Sequence, residues 1–287
     1  MTIPSIVMLH YVSNNDKLND LKPWLISKES FEQLLDYIEK ERYATVGFED
    51  VKNGNVPQKS IIITFDDCPK HLWNFAIPEL QKRKMKAVFY MPTAHLDGHN
   101  EWNVVDGLPK IDLMDEQDIR KLVEIGMEVG SHAHNHVMLE DASYAVVAEE
   151  LTKSKQILEN ITKRQVISVA YPYGSVPCNY QKIASETGYD FGLSVFSRKE
   201  TRYSLRRWIY SDEDTVASIK WKMSPMYRIW RAFDDNYQVI SKRLMQGLYK
   251  RYSNIKKMLI NKALLIYTFD VPLEFDMCEL VVFCEVI

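Results

Sequence analysis

Long apolar runs are missing from this 287-residue chain. No stretch of eighteen apolar residues occurs, so no membrane-spanning helix is expected. The first ten residues, Met1 to His10, carry no basic segment and no small-residue cleavage site, so they read as mature protein rather than a signal peptide. Cysteine is scarce and unpatterned: Cys68, Cys178, Cys278 and Cys284 show no C-x-x-C spacing. Nothing therefore asks for a disulfide framework, and a reducing, cytoplasmic setting is the simpler expectation. Low-complexity tracts are absent as well. Histidine is also rare, with seven in the chain, yet three of them fall within five residues.

What is present is an ordinary globular composition, 46% hydrophobic and 26% charged, long enough for one large α/β domain with or without an appendage. The net charge of −3 hides an asymmetry. Residues 220–262 hold eleven Lys/Arg and two Asp, a local +9 that leaves the remainder near −12. The C-terminal part is expected to do a different job.

Short apolar strands are expected at 6–9, 60–65, 87–91, 127–131, 166–170, 191–196 and 205–210. Amphipathic helices are expected between them. Ser27 to Arg42 places Phe31, Leu34, Leu35 and Ile38 on one face. Pro69 to Lys84 is interrupted by Pro78. Asp115 to Gly126 ends on a glycine, and Ser143 to Ile161 and Asn179 to Thr187 follow. A long loop, 94–112, contains His95, His99 and Trp102, and loops of that length are often functional. This alternation predicts a mostly parallel sheet with right-handed crossovers, either open or closed into a barrel. Sites in such sheets lie at the C-terminal ends of strands. His10, Asp66-Asp67, His132/His136, Tyr173-Gly174 and Arg206-Arg207 all fall at or near expected strand ends. Beyond residue 210 the pattern breaks: 212–223 reads as helix, 226–258 is rich in Lys, Arg, Tyr and Trp, and short strands are expected at 264–267 and 280–285.

Chemistry concentrates in two stretches. Gly130-Ser131-His132-Ala133-His134-Asn135-His136 follows one apolar run, and Thr64-Phe65-Asp66-Asp67 ends another. Two imidazoles and one carboxylate bind a borderline divalent cation and leave positions open for water and substrate. A neighbouring carboxylate can then take the water's proton. Consecutive side chains on a regular strand face opposite ways, so the Asp pair must sit where the strand ends and the chain turns. Taken alone, an Asp-Asp pair is often only a helix start, a lone histidine is usually structural, and Tyr171-Pro172-Tyr173-Gly174 could be any turn.

In this order and spacing, Thr64-Phe65-Asp66-Asp67, Ser131-His132-x3-His136 and Ala170-Tyr171-Pro172-Tyr173-Gly174 resemble the polysaccharide deacetylases of carbohydrate esterase family 4, the NodB-homology domain, over roughly residues 3–210. The resemblance implies an irregular (β/α)7-type barrel, expected over 1–212, while charge and periodicity make 213–287 a basic, largely helical extension. It implies that Asp67, His132 and His136 bind one divalent metal, most naturally Zn2+ with Co2+, Mn2+ or Ni2+ as alternatives, and that Asp66 is the base. Tyr173 would offer its backbone N–H to the oxyanion. Leu9-His10-Tyr11 resembles the N-terminal placement of the general-acid histidine found in circularly permuted members, and Arg207 resembles the arginine that orients the base. Cys68 stands where the family usually has glycine, and no arginine precedes the Pro-Tyr-Gly motif.

The expected function is metal-dependent removal of an N-acyl group, most naturally acetyl, from an amino sugar in a glycan or glycan precursor. The reading as a cytoplasmic protein favours a nucleotide- or lipid-linked precursor as substrate. The alternatives are another C–N hydrolase acting on a small amide or cyclic imide, an iron oxygenase, and a non-catalytic glycan-binding module. For basic residues 220–262 the expectations are a solvated helical face, a surface docking on anionic membrane, and, least favoured, nucleic-acid binding.

Overall fold

The computed structural model describes residues 3–235 except 23, 175 and 198. The expected strands at 264–267 and 280–285, and most of the basic stretch 220–262, lie outside the described residues.

In chain order the described strands are β1 (Ser5–Leu9), β2 (Tyr11–Val12), β3 (Leu25–Ile26), β4 (Ala44–Thr45), β5 (Ser60–Phe65), β6 (Val88–Met91), β7 (Glu128–Ser131), β8 (Ser168–Ala170), β9 (Phe191–Ser194), β10 (Leu205–Arg206) and β11 (Trp208–Ile209). The helices are α1 (Lys28–Lys40), α2 (Phe48–Lys52), α3 (Ala76–Lys82), α4 (Glu101–Val105), α5 (Glu116–Glu124), α6 (Tyr144–Thr162), α7 (Tyr180–Glu186) and α8 (Val216–Lys222). Their starts follow from side chains that satisfy the free N–H groups of a first turn. Ser27 accepts from Ser30 N ahead of α1, Asp115 and Asp118 form a reciprocal box at α5, and Ser143 accepts from Val146 N at α6.

All pairings in the main sheet are parallel, in the order β10-β9-β8-β7-β6-β5-β1-β11, with β4 added against β5. Only Arg207 separates β10 from β11, yet β10 pairs with β9 and β11 pairs with β1. Segment 205–209 therefore joins the two edges and closes the sheet into a barrel. This settles the choice between an open and a closed sheet.

Strand parity divides the core in two. Ile6, Ile62, Val88, Tyr90, Phe191, Leu193 and Leu205 cluster inside the barrel. Val7, Leu9, Ile61, Ile63, Phe65 and Phe89 face out and pack against helices, where Phe31, Leu34, Leu35 and Ile38 of α1 meet them. Each such side chain contributes roughly 1.5–3 kcal/mol by leaving water.

Two expectations change. The 69–84 helix splits at Phe75 (φ −151°, ψ −57°), not at Pro78. Pro78 falls in the first turn of α3, where no backbone N–H is needed. The compact unit also takes in the described residues 213–235, past the expected boundary at 212. Asp212 accepts from Ser27 N, Lys222 pairs with buried Asp214, and Arg206 pairs with buried Asp235. Charge counts along the sequence cannot reveal that Asp214 and Asp235 are buried partners. The 94–112 loop, in turn, is built around α4.

Candidate active site

Asp66 continues the parity of β5. Its N–H donates to Leu9 O at 2.9 Å, and its side chain follows Ile62 and Thr64 into the barrel. The chain then turns. Asp67 (φ 61°) and Cys68 (φ 53°) are both left-handed, which swings the second carboxylate back toward the same rim. Cys68 is tolerated where glycine would relieve this strain, because its thiol donates to Tyr90 O at 3.1 Å in a buried slot.

His132 and His136 lie on the turn after β7, which left-handed Ala133 and His136 itself shape. Buried Glu150, on α6, holds this turn by accepting from the N–H groups of His134 and Asn135. His132 Nδ1 donates to Ala170 O at 2.7 Å, so in the neutral ring Nε2 presents its lone pair to the site. His132 Nε2 and His136 Nε2 lie 3.5 and 3.3 Å from Asp67 Oδ1. That oxygen is buried with no hydrogen-bond partner among the described residues. Donors at about 2.0–2.1 Å from a tetrahedral cation stand about 3.4 Å apart, so these spacings fit a divalent ion. The possible donor atoms of the three residues lie within 4.8 Å of one another.

The protonation states agree with that reading. Burial pushes His132 down to about 4 despite the pull of Asp66, leaving the neutral imidazole a metal needs. Burial works against an ionised Asp67, but His136, with His10 and His132, holds its carboxyl well below the ordinary range. Asp66 is likewise buried, and Arg207 outweighs the burial and lowers it. Arg207 Nη1 and Nη2 donate to Asp66 Oδ1 and Oδ2, both at 2.6 Å, and Nη1 also reaches Thr64 Oγ1.

His10 follows β1 directly, level with Asp66 across the β1–β5 pairing. Burial lowers its pKa, against the fields of Asp67 and Asp66. Tyr173 is left-handed (φ 59°) and half-exposed, and its ring lies 4.9 Å from that of His136. The structure thus gathers His10, Asp66, Asp67, His132, His136, Tyr173 and Arg207 at one rim.

Three further residues, to which the sequence reading gave no role in the site, adjoin it. Tyr11 Oη donates to Asp67 Oδ2 at 3.2 Å. Asn103 Nδ2 donates to Tyr11 Oη at 3.2 Å. Trp102 stacks on His136, with ring centroids 3.9 Å apart and planes at 24°. Only the long loop itself was a signal for the last two.

Residues 53–192 match the family model for polysaccharide deacetylases. Over those residues the chain is a polysaccharide deacetylase domain. It is 24% identical over 211 residues to poly-beta-1,6-N-acetyl-D-glucosamine N-deacetylase of Staphylococcus aureus (strain MRSA252), an overlap of 68% of this chain and 70% of the relative. Among solved structures, this deacetylase resembles BC0361, a polysaccharide deacetylase from Bacillus cereus, with 25% identity and a TM-score of 0.61 over 77% of this chain and 68% of that one. It shares its fold with Streptococcus pyogenes deacetylase PplD, with 24% identity and a TM-score of 0.67 over 77% of this chain and 98% of that one.

Proposed function

We propose that this deacetylase hydrolyses the N-acetyl group of β-1,6-linked N-acetylglucosamine, using Asp67, His132 and His136 to hold one Zn2+ ion. The observation that carries the reading is Asp67 Oδ1, without a hydrogen-bond partner among the described residues and facing two imidazole nitrogens, beside an Asp66 clamped by Arg207. The linkage comes from the name of the Staphylococcus aureus relative.

A divalent cation in this site supplies Lewis acidity, lowering the pKa of water and polarising the amide carbonyl. Asp66 takes a proton from the attacking water, its carboxylate held in one orientation by the two Arg207 bonds. The water oxygen forms the new C–O bond, and the Tyr173 backbone N–H donates to the developing oxyanion. His10, in its protonated form, gives a proton to the amine nitrogen as the C–N bond breaks, releasing acetate and a free amine.

Metal content by elemental analysis, with amine release from β-1,6-linked N-acetylglucosamine oligomers, tests this. Wild type should carry about one divalent ion per chain, and His132→Ala should lose both ion and activity. His10→Gln should keep the ion and lose about 10²–10⁴ in kcat. A wild type that takes up no Zn2+, Co2+, Mn2+ or Ni2+ would sink the metal assignment. Retained kcat in His10→Gln would remove His10 as the acid.

A further inference from the structure

The loop between β6 and α5 is pinned at its base and touches the site at its tip. At the base, Ala94 N donates to His134 O, Lys70 N to Asp112 O and Met114 N to Cys68 O. Inside the loop, fully buried Asn100 acts as a clip: its Nδ2 donates to Pro109 O and its Oδ1 accepts from Ile111 N. The tip is α4, one short turn of helix with no buried residue. The apolar core therefore does not explain why α4 stays down. Two adjacent residues on it do: Trp102 lies against His136, and Asn103 bonds Tyr11, which bonds Asp67.

The direction of these bonds matters. An Asn amide nitrogen can only donate, so the Tyr11 oxygen accepts from Asn103 and must spend its single proton on Asp67 Oδ2. That satisfies Oδ2 and leaves Oδ1 as the oxygen free to face the imidazoles. The two histidines also differ. A ligating histidine normally donates its second ring nitrogen to a fixed acceptor, as His132 does to Ala170 O. Buried His136 Nδ1 has no such partner among the described residues, and the stacked indole of Trp102 is what fixes the ring plane.

We propose that Trp102 and Asn103 are positioning residues that set two of the three metal donors, so that closure of the 94–112 loop and metal binding stabilise each other. This rests on the Asp67–His132–His136 metal assignment. Because coupling between two sites is reciprocal, a loop that orders the donors must itself be ordered by the ion.

The test is Zn2+ affinity by competition with a colorimetric chelator, alongside hydrogen exchange over residues 99–108 with and without Zn2+. Trp102→Ala should weaken Zn2+ binding about 10- to 100-fold, the usual loss when an outer contact of a ligand is removed. Trp102→Phe, which keeps a stacking face, should recover most of it, and metal-free melting temperatures should match. Zn2+ should slow exchange in the loop of wild type and not of Trp102→Ala. Unchanged affinity in Trp102→Ala, or a Trp102→Phe as weak as Trp102→Ala, overturns the proposal while leaving the metal site standing. Should Trp102→Ala not fold, Asn103→Ala is read the same way: weakened Zn2+ binding supports the coupling and unchanged binding overturns it. A wild type that binds no Zn2+ fails one step earlier, at the metal assignment.

Discussion

Arg207 sits at the seam where the barrel closes and meets both oxygens of Asp66 at 2.6 Å. Its guanidinium keeps a buried carboxylate ionised. Arg207→Lys keeps the charge but replaces the paired bonds by a point donor. Weaker stabilisation of the ionised form lets burial raise the Asp66 pKa, so the proposed base becomes protonated at higher pH. The acid limb of the kcat/KM profile should therefore move up in pH, with a loss of about 10²-fold at the plateau from misplacement of the base. A profile with an unmoved acid limb would show that Asp66 is not the titrating base. Asp66, Asp67, His132 and His136 were legible in sequence because each pair lies within five residues on one strand end. Tyr11 and Asn103 were not, because their bonds span 56 and 92 residues of chain.

At the level of elements, β7 is tightly constrained at Gly130. A Cβ at Gly130 would sit 2.3 Å from Tyr90 Cε1 and 2.5 Å from Cδ1, inside the barrel. Tyr90 cannot retreat freely, since its hydroxyl donates to Ser168 and its ring lies under Arg207. Gly130→Ala should destabilise the protein by about 1–3 kcal/mol, the cost of overpacking a filled core, and should lower metal affinity because His132 is two residues on. Denaturant melts and chelator competition check both; an unchanged melt would mean the barrel interior is looser than its contacts indicate. Periodicity located the long helices within a residue or two, because a buried stripe and a capping side chain are both written locally. It placed the break before α3 wrongly, because a proline marks a helix interior or a first turn depending on where the preceding residue bends.

The whole molecule buries several histidines in neutral form, and this sets its response to acid. Burial lowers His71 and His132 each to about 4, from an ordinary 6.5. Between those values the unfolded chain binds protons that the native state refuses. Stability of the metal-free protein is therefore complete above about pH 6.5 and falls as pH drops toward 4, by up to roughly 3 kcal/mol for each such histidine. His71 stacks on Tyr11 and accepts no role in the proposed chemistry, so His71→Phe should leave neutral-pH stability nearly unchanged and flatten this slope. Urea melts from pH 7 to 4.5 read it directly; an equal slope in the variant would show that His71 titrates normally. The sequence by itself determined the alternation of strands and helices, the parallel sheet and the two motifs that end β5 and β7, because these depend on period, capping and turn residues a few positions apart. Tertiary structure alone decided that the sheet closes at Arg207, that the residues from 213 to 235 belong to the barrel unit, and that Trp102 lies against His136 and Tyr11 bonds Asp67. Each of those is a contact between distant parts of the chain, fixed by ring closure and packing rather than by any local pattern.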